Sequence, residues 1–137
     1  MHADTWGYKV LSVGSALARW TDRTSRNPRR TYVWICSLCL NQHRIGKAVV
    51  SPEKLSAEFG ARVKAIGRLL PLFEPWHSPI YLTRAWCLFE LYTAIVARGE
   101  VQIEVIMTDD AEATFLRDIS TRGYDAVDSA FANIQAE

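Results

Sequence analysis

Apolar positions along this chain follow two rhythms, one repeating near every 3.6 residues and one made of short continuous or alternating runs. Over residues 8–20, Val10, Val13, Leu17 and Trp20 recur at helical spacing, which predicts an amphipathic helix. Residues 21–30 (TDRTSRNPRR) are polar and contain Pro28, which predicts a loop. Residues 31–40 (TYVWICSLCL) are β-branched and aromatic and apolar on both faces, the pattern of a buried parallel strand. Ser51-Pro52-Glu53 reads as a helix start, with an N-cap serine, proline at the first helical position and an acid in the first turn. Leu55, Phe59, Val63 and Ile66 then mark one face of that helix. Residues 69–73 (LLPLF) predict a short strand interrupted by Pro71. Residues 83–98 predict a long, mostly apolar helix that stops at Gly99. Residues 101–107 (VQIEVIM) alternate as a strand does, and Asp109-Asp110-Ala111-Glu112 resembles a capping box opening a helix that ends near Gly123. Residues 125–134 predict a last short helix.

Helices and strands alternating in this order imply βαβ units, hence an α/β domain whose parallel sheet carries helices on both faces. The 137 residues suit one domain, with no internal repeat and no low-complexity segment. A chain opening with a helix would leave a doubly wound sheet without its first strand. The expectation is therefore a piece of a longer domain, with the strands at 32–39 and 69–73 flanking a gap.

Composition narrows the class. Apolar residues make up 49% and charged residues 23%, ordinary for a soluble globular protein, and no apolar run reaches the ~20 residues that span a bilayer. Five tryptophans point to heavy investment in packing or stacking surfaces. With three cysteines and no secretory signal pattern, the expected compartment is reducing and cytoplasmic. The net charge of +1 conceals a split: residues 1–68 carry 12 Lys/Arg against 4 Asp/Glu, and residues 69–137 carry 4 against 11. Mutual pairing of the halves, or pairing with a second copy, is the favoured reading. Nucleic-acid binding through Arg19–Arg30 ranks last, because no basic surface interleaved with aromatics accompanies it.

Glu90 is the leading candidate for chemistry. It lies in TRAWCLFELYTAIVA, apolar on nearly every side, and its helical neighbours Trp86, Cys87, Thr93 and Ala94 include no base. A carboxylate buried without a partner has its pKa forced upward, which suits proton transfer or stabilisation of a developing cation. The competing reading is a structural ion pair with Arg84 or Arg62. Cys36 and Cys39 form C-x-x-C, near Cys87, His43 and His77. On a strand, however, i and i+3 point to opposite faces, and no second ligand pair follows, so neither zinc nor a disulfide is expected. Asn41 and Gln42 follow the predicted strand at its carboxyl end, where open α/β sheets bind ligands, though an ordinary turn has the same composition. Trp76, in Pro75-Trp76-His77-Ser78-Pro79, fits either a rigid loop over a pocket or a plain connection.

Three segments resemble one superfamily. YVWICSLCLNQ (32–42) resembles the W-I-D-x-x-C-I-N-Q stretch of fungal heterokaryon-incompatibility domains, which are TIR relatives. TRAWCLFELYTAI (83–95) resembles the S-x-W-C-L-x-E-L segment of plant TIR domains, and His2-Ala3 with Trp6 and Tyr8 resembles an S-H-A-W opening. The resemblance implies a flavodoxin-like (TIR-like) fold and a signalling role. It also implies, as in many members, cleavage of the N-glycosidic bond of NAD+, with Glu90 at the position of the catalytic glutamate. His2, Trp6, Trp86, Asn41, Gln42 and Trp76 would line the substrate site. NAD+ enters as substrate, no cofactor is implied, and activity commonly requires homo-oligomers. Many TIR domains are instead non-enzymatic, self-associating adaptors. Cys36 stands where relatives carry Asp after W-I.

Overall fold

The structure, a computed structural model, describes residues 4–5, 8–35, 52–97, 99–132 and 134. Its elements run β1 (Asp4–Thr5), β2 (Tyr8–Lys9), α1 (Val10–Arg23), α2 (Pro52–Ile66), β3 (Arg68–Leu69), α3 (Ala85–Val96), β4 (Gln102–Ile103), α4 (Asp109–Arg122) and α5 (Asp125–Phe131). Single 3-10 turns stand at Pro28–Arg30 and Ile80–Thr83. The described residues are thus mixed helix and strand, with a small parallel sheet. β1 and β2 pair antiparallel ahead of α1, so the chain does not run straight into a helix as the periodicity predicted.

β3 and β4 pair in parallel, Arg68 with Gln102 and Leu69 with Ile103, and the same offset continues to a bridge between Leu72 and Ile106. The carbonyls of Leu69 and Pro71 accept from the N–H groups of Glu104 and Ile106 at 3.0 and 2.9 Å, and the Phe73 N–H donates to the Ile106 carbonyl at 3.0 Å. That alternation puts the Pro71 nitrogen where the intervening N–H would donate, and proline has none to give. The ladder is therefore a two-residue strand followed by a bridge rather than the five-residue strand expected over 69–73. With α3 connecting them, β3 and β4 form a βαβ unit.

Side chains alternate across a strand, and this sorts the helices to two sides. Leu72 and Ile106 pack with Ala16 and Trp20 of α1, joined by Leu70, Leu17, Val13 and Tyr8. Leu69 packs the other way, with Val63 of α2, Ala94 of α3, Ala97 and Val101. The buried line of α1 is Val13, Ala16, Leu17 and Trp20; Val10 was expected on it but is exposed in the first turn. α1 also runs past Trp20 to Arg23. Its end is satisfied by Thr24, whose Oγ1 donates to the Trp20 carbonyl at 2.6 Å. On α2, Phe59 and Val63 are buried as predicted, while Ile66 is exposed at the last residue before the chain turns at Gly67, where φ is +69°.

Two further expectations change. The strand predicted over 31–40 is irregular chain over 31–35, with Tyr32 92% exposed and Val33 exposed; 36–40 lie outside the described residues. Trp34 packs edge-on to Phe59 at 5.4 Å, so its apolar character serves side-chain packing rather than a ladder. The cap of α4 is Thr108, not Asp109: its Oγ1 accepts from the Ala111 N–H at 3.3 Å. Asp109, Asp110 and Glu112 fill the first turn, where the helix dipole favours acids.

The charge split resolves as pairing between halves. Arg19 pairs with Asp109 and Glu112, Arg23 reaches Glu112 at 3.8 Å, Lys64 reaches Glu100 at 3.9 Å, and Arg68 pairs with Glu104. Trp20, 3% exposed, sits at the centre of this arrangement. Its Nε1 donates to Glu104 at 2.6 Å, and the Arg26 and Arg68 guanidinium groups lie 5.0 and 5.8 Å from its ring centroid. Trp20→Ala should cost about 3–5 kcal/mol, as expected for a buried tryptophan. Trp20→Phe should cost less but leave the Glu104 acceptor short of a donor, and the midpoint of urea unfolding measures both.

Candidate functional site

Glu90 lies in the middle of α3 and is 7% exposed. The helix carries it inward because both its neighbouring faces pack: Ala94, one turn on, joins the cluster with Val63 and Val101, and Tyr81 of the preceding 3-10 turn closes over the carboxylate. The Tyr81 hydroxyl donates to Glu90 Oε2 at 3.4 Å. Ion pairs among the described residues do not include Glu90; the Arg62 guanidinium instead lies 5.9 Å from the Trp34 ring centroid. Burial, the larger cause, lifts the Glu90 carboxyl from the ordinary carboxylate range to about 7, and the Tyr81 hydrogen bond pulls the other way.

Behind Tyr81 stands Tyr8, a residue to which the sequence pattern gave no role beyond the opening motif. Its hydroxyl accepts from the Tyr81 backbone N–H at 2.8 Å and donates to the Leu72 carbonyl at 2.6 Å. One part-buried oxygen thereby ties the carboxyl end of the β3 segment to the turn that carries Tyr81. Burial raises the Tyr8 pKa well above its ordinary value, and Cys87, Glu74 and Arg84 contribute to the field around it. Glu74 belongs to the loop leaving the β3 segment. Its Oε2 is buried with no hydrogen-bond partner among the described residues. Neither Tyr81 nor Glu74 carried a signal in the sequence, since a lone Tyr or Glu in a loop has no spacing to read.

Of the predicted substrate residues, Trp86 lies one turn before Glu90 and is 39% exposed, stacked on Phe59 at 5.3 Å and edge-on to Phe89 at 6.2 Å. Trp76 is 3% exposed: its Nε1 donates to Asp118 at 3.1 Å and its ring meets Phe115 at 5.2 Å. It anchors the loop to α4 and offers no face to a ligand, so the plain-connection reading of 75–79 replaces the pocket reading. His2, Trp6, Asn41 and Gln42 lie outside the described residues, as do Cys36, Cys39 and His43. Two surface clefts, of about 190 and 180 Å³, flank α1, one lined by Arg19, Phe115 and Leu116 and the other by Leu17, Pro28 and Val33; neither includes Glu90. Among the described residues no group of three His, Cys, Asp or Glu could hold a metal, and no helix is long and apolar enough to cross a membrane.

No protein-family model, curated protein or solved structure matches this chain. The site therefore rests on its own geometry: a buried carboxylate with no ion pair among the described residues, under a phenol whose turn is tied to the carboxyl end of a parallel strand.

A carboxyl whose pKa is higher folded than unfolded binds its proton in the native state while the unfolded chain has lost it. Stability then falls as pH rises from the ordinary glutamate range to about 7, and is level above that. Glu90→Gln should remove this slope. At pH 8 it should stabilise the fold by about 1–3 kcal/mol, read from denaturant midpoints at pH 5 and pH 8.

Proposed function

We propose that this chain is a TIR-like signalling domain in which Glu90 serves cleavage of the nicotinamide N-glycosidic bond of NAD+. The observation that carries the reading is the Glu90 carboxylate itself: buried, without a basic partner among the described residues, lifted to about 7, and set in the W-C-x-x-E segment of α3. A flavodoxin-like sheet is the finer form of the fold in this proposal. It is supported by the parallel β3–α3–β4 unit and by helices packed against both sides of the strand. The loop bearing Glu74 and Tyr81 begins at the carboxyl end of β3, the position at which open α/β sheets take ligands.

The chemistry follows from the charge. When the ribose C1′–N bond breaks, its electron pair leaves with the nicotinamide ring and the ribose becomes oxocarbenium-like. An ionised carboxylate beside it, in a poorly solvated setting, stabilises that cation more than water does. Water then adds at C1′ and gives up a proton, leaving ADP-ribose, nicotinamide and H⁺. A carboxylate with a pKa near 7 is matched to accept that proton at neutral pH. Nicotinamide release from NAD+ is the direct test. Turnover should rise through about pH 7 and level off above it, following ionisation of Glu90. Glu90→Gln should reduce it by ~100-fold or more; parental turnover in that variant would remove Glu90 from the reaction.

One observation favours a second reading, a non-catalytic module that associates with its own kind. Tyr92, Ile95 and Val96 occupy one side of α3 and are 64%, 60% and 54% exposed, a concentration of apolar surface that invites a partner. Sedimentation should then report a self-associating parent and a monomeric Ile95→Lys variant. Absence of NAD+ turnover in the associated parent would decide for this reading.

A further inference from the structure

We infer that Tyr8 is a positioning residue for Glu90, acting at a distance through Tyr81. The inference rests on the proposed role of Glu90 and adds the element that regulates its ionisation. Three hydrogen bonds joining four segments define it. The Tyr8 hydroxyl donates to the Leu72 carbonyl at 2.6 Å and accepts from the Tyr81 N–H at 2.8 Å, and the Tyr81 hydroxyl reaches Glu90 Oε2 at 3.4 Å. The first two are short, and they hold the backbone of the Ile80–Thr83 turn against the strand end. The third, at 3.4 Å, is longer than an ordinary O–H···O bond, so the position of that turn decides whether the contact is made. Tyr81 is itself buried, which leaves its ring little freedom to follow Glu90 if the turn moves.

The surroundings single out this path. Tyr81 is the group whose hydrogen bond bears on the Glu90 carboxyl. Arg84 at the N-cap of α3, Cys87 on α3 and Glu74 in the loop act on the Tyr8 hydroxyl. On the adjacent α2, Arg62 lies over Trp34, Lys64 reaches Glu100, and Glu58 is exposed. A hydrogen bond donated to a carboxylate favours its charged form, so loss of the Tyr81 contact leaves Glu90 protonated to higher pH.

The experiment titrates the Glu90 carboxyl carbon by NMR in the parent, Tyr8→Phe, Tyr81→Phe and the double variant, alongside pH profiles of NAD+ turnover. Both single variants should raise the titration midpoint by about one pH unit, and the double variant should add nothing further, since the two act in series. Turnover at pH 7 should fall about five-fold in each and recover by pH 9, with KM unchanged, as a one-unit shift of an essential base requires. Tyr81→Phe removes no backbone hydrogen bond, so it remains informative if Tyr8→Phe folds poorly. A parental midpoint in either single variant, or additive shifts in the double variant, would overturn the inference. The carboxyl titration needs no substrate, so absence of NAD+ turnover in the parent would defeat the proposed reaction while leaving the Tyr8–Tyr81–Glu90 linkage testable.

Discussion

The parallel register between residues 68–72 and 102–106 is the constraint on which the rest of the structure depends. A single offset joins Arg68 to Gln102, Leu69 to Ile103 and Leu72 to Ile106, and it survives the gap at Pro71 because the Pro71 carbonyl still accepts from Ile106. The register sends Leu72 and Ile106 to α1 and Leu69 to α2 and α3. A slip of one residue would exchange these faces and expose both clusters. It also decides where the strand ends, and so where the loop carrying Glu74, Trp76 and Tyr81 begins.

Two ties keep that loop in place, and they differ in kind. Trp76 is fastened to α4 through Asp118 and Phe115, which makes it an anchor and removes it from any ligand surface. Tyr8 fastens the far end of the loop to the strand through one hydroxyl serving two backbone groups. A part-buried hydroxyl used as both donor and acceptor meets its own hydrogen-bonding requirement and that of its neighbours, so the contact stabilises without leaving a polar group stranded. The Glu74 carboxylate, close enough for its charge to act on Tyr8, has one oxygen without such a partner.

Electrostatics act differently at the surface and at Glu90. The basic first half and acidic second half meet through Arg19, Arg23, Lys64 and Arg68, all at least partly solvated, where single pairs contribute little individually. Together they show part of the charge split meeting between the two halves. At Glu90 the opposite holds: burial raises the cost of ionisation, and the Tyr81 phenol offsets part of it.

Much of the architecture was legible because it is local. Helical periodicity gave α1, α2, α3 and α4 within a few residues, since each buries one face against a neighbour. Gly123 ended α4 where expected because its backbone takes a positive φ of +61°. The burial of Glu90 was legible too, from its place in an apolar helix, whereas the sequence left open whether Arg84 or Arg62 would pair with it. The sequence misjudged what depends on pairing across the chain. Residues 31–35 have strand composition, yet Trp34 spends its apolar surface on Phe59 and the described backbone there joins no ladder. Pro71 sits on the side of the strand that faces β4, which composition could not tell. Leu72 and Tyr81 lie 64 and 73 residues from Tyr8 along the chain, and no periodicity spans such distances. The residue types thus determined which segments would be helices and which carboxylate would be buried. Only tertiary packing decided which phenol stands over that carboxylate, because hydrogen-bond partners are chosen by position in space and not by spacing in sequence.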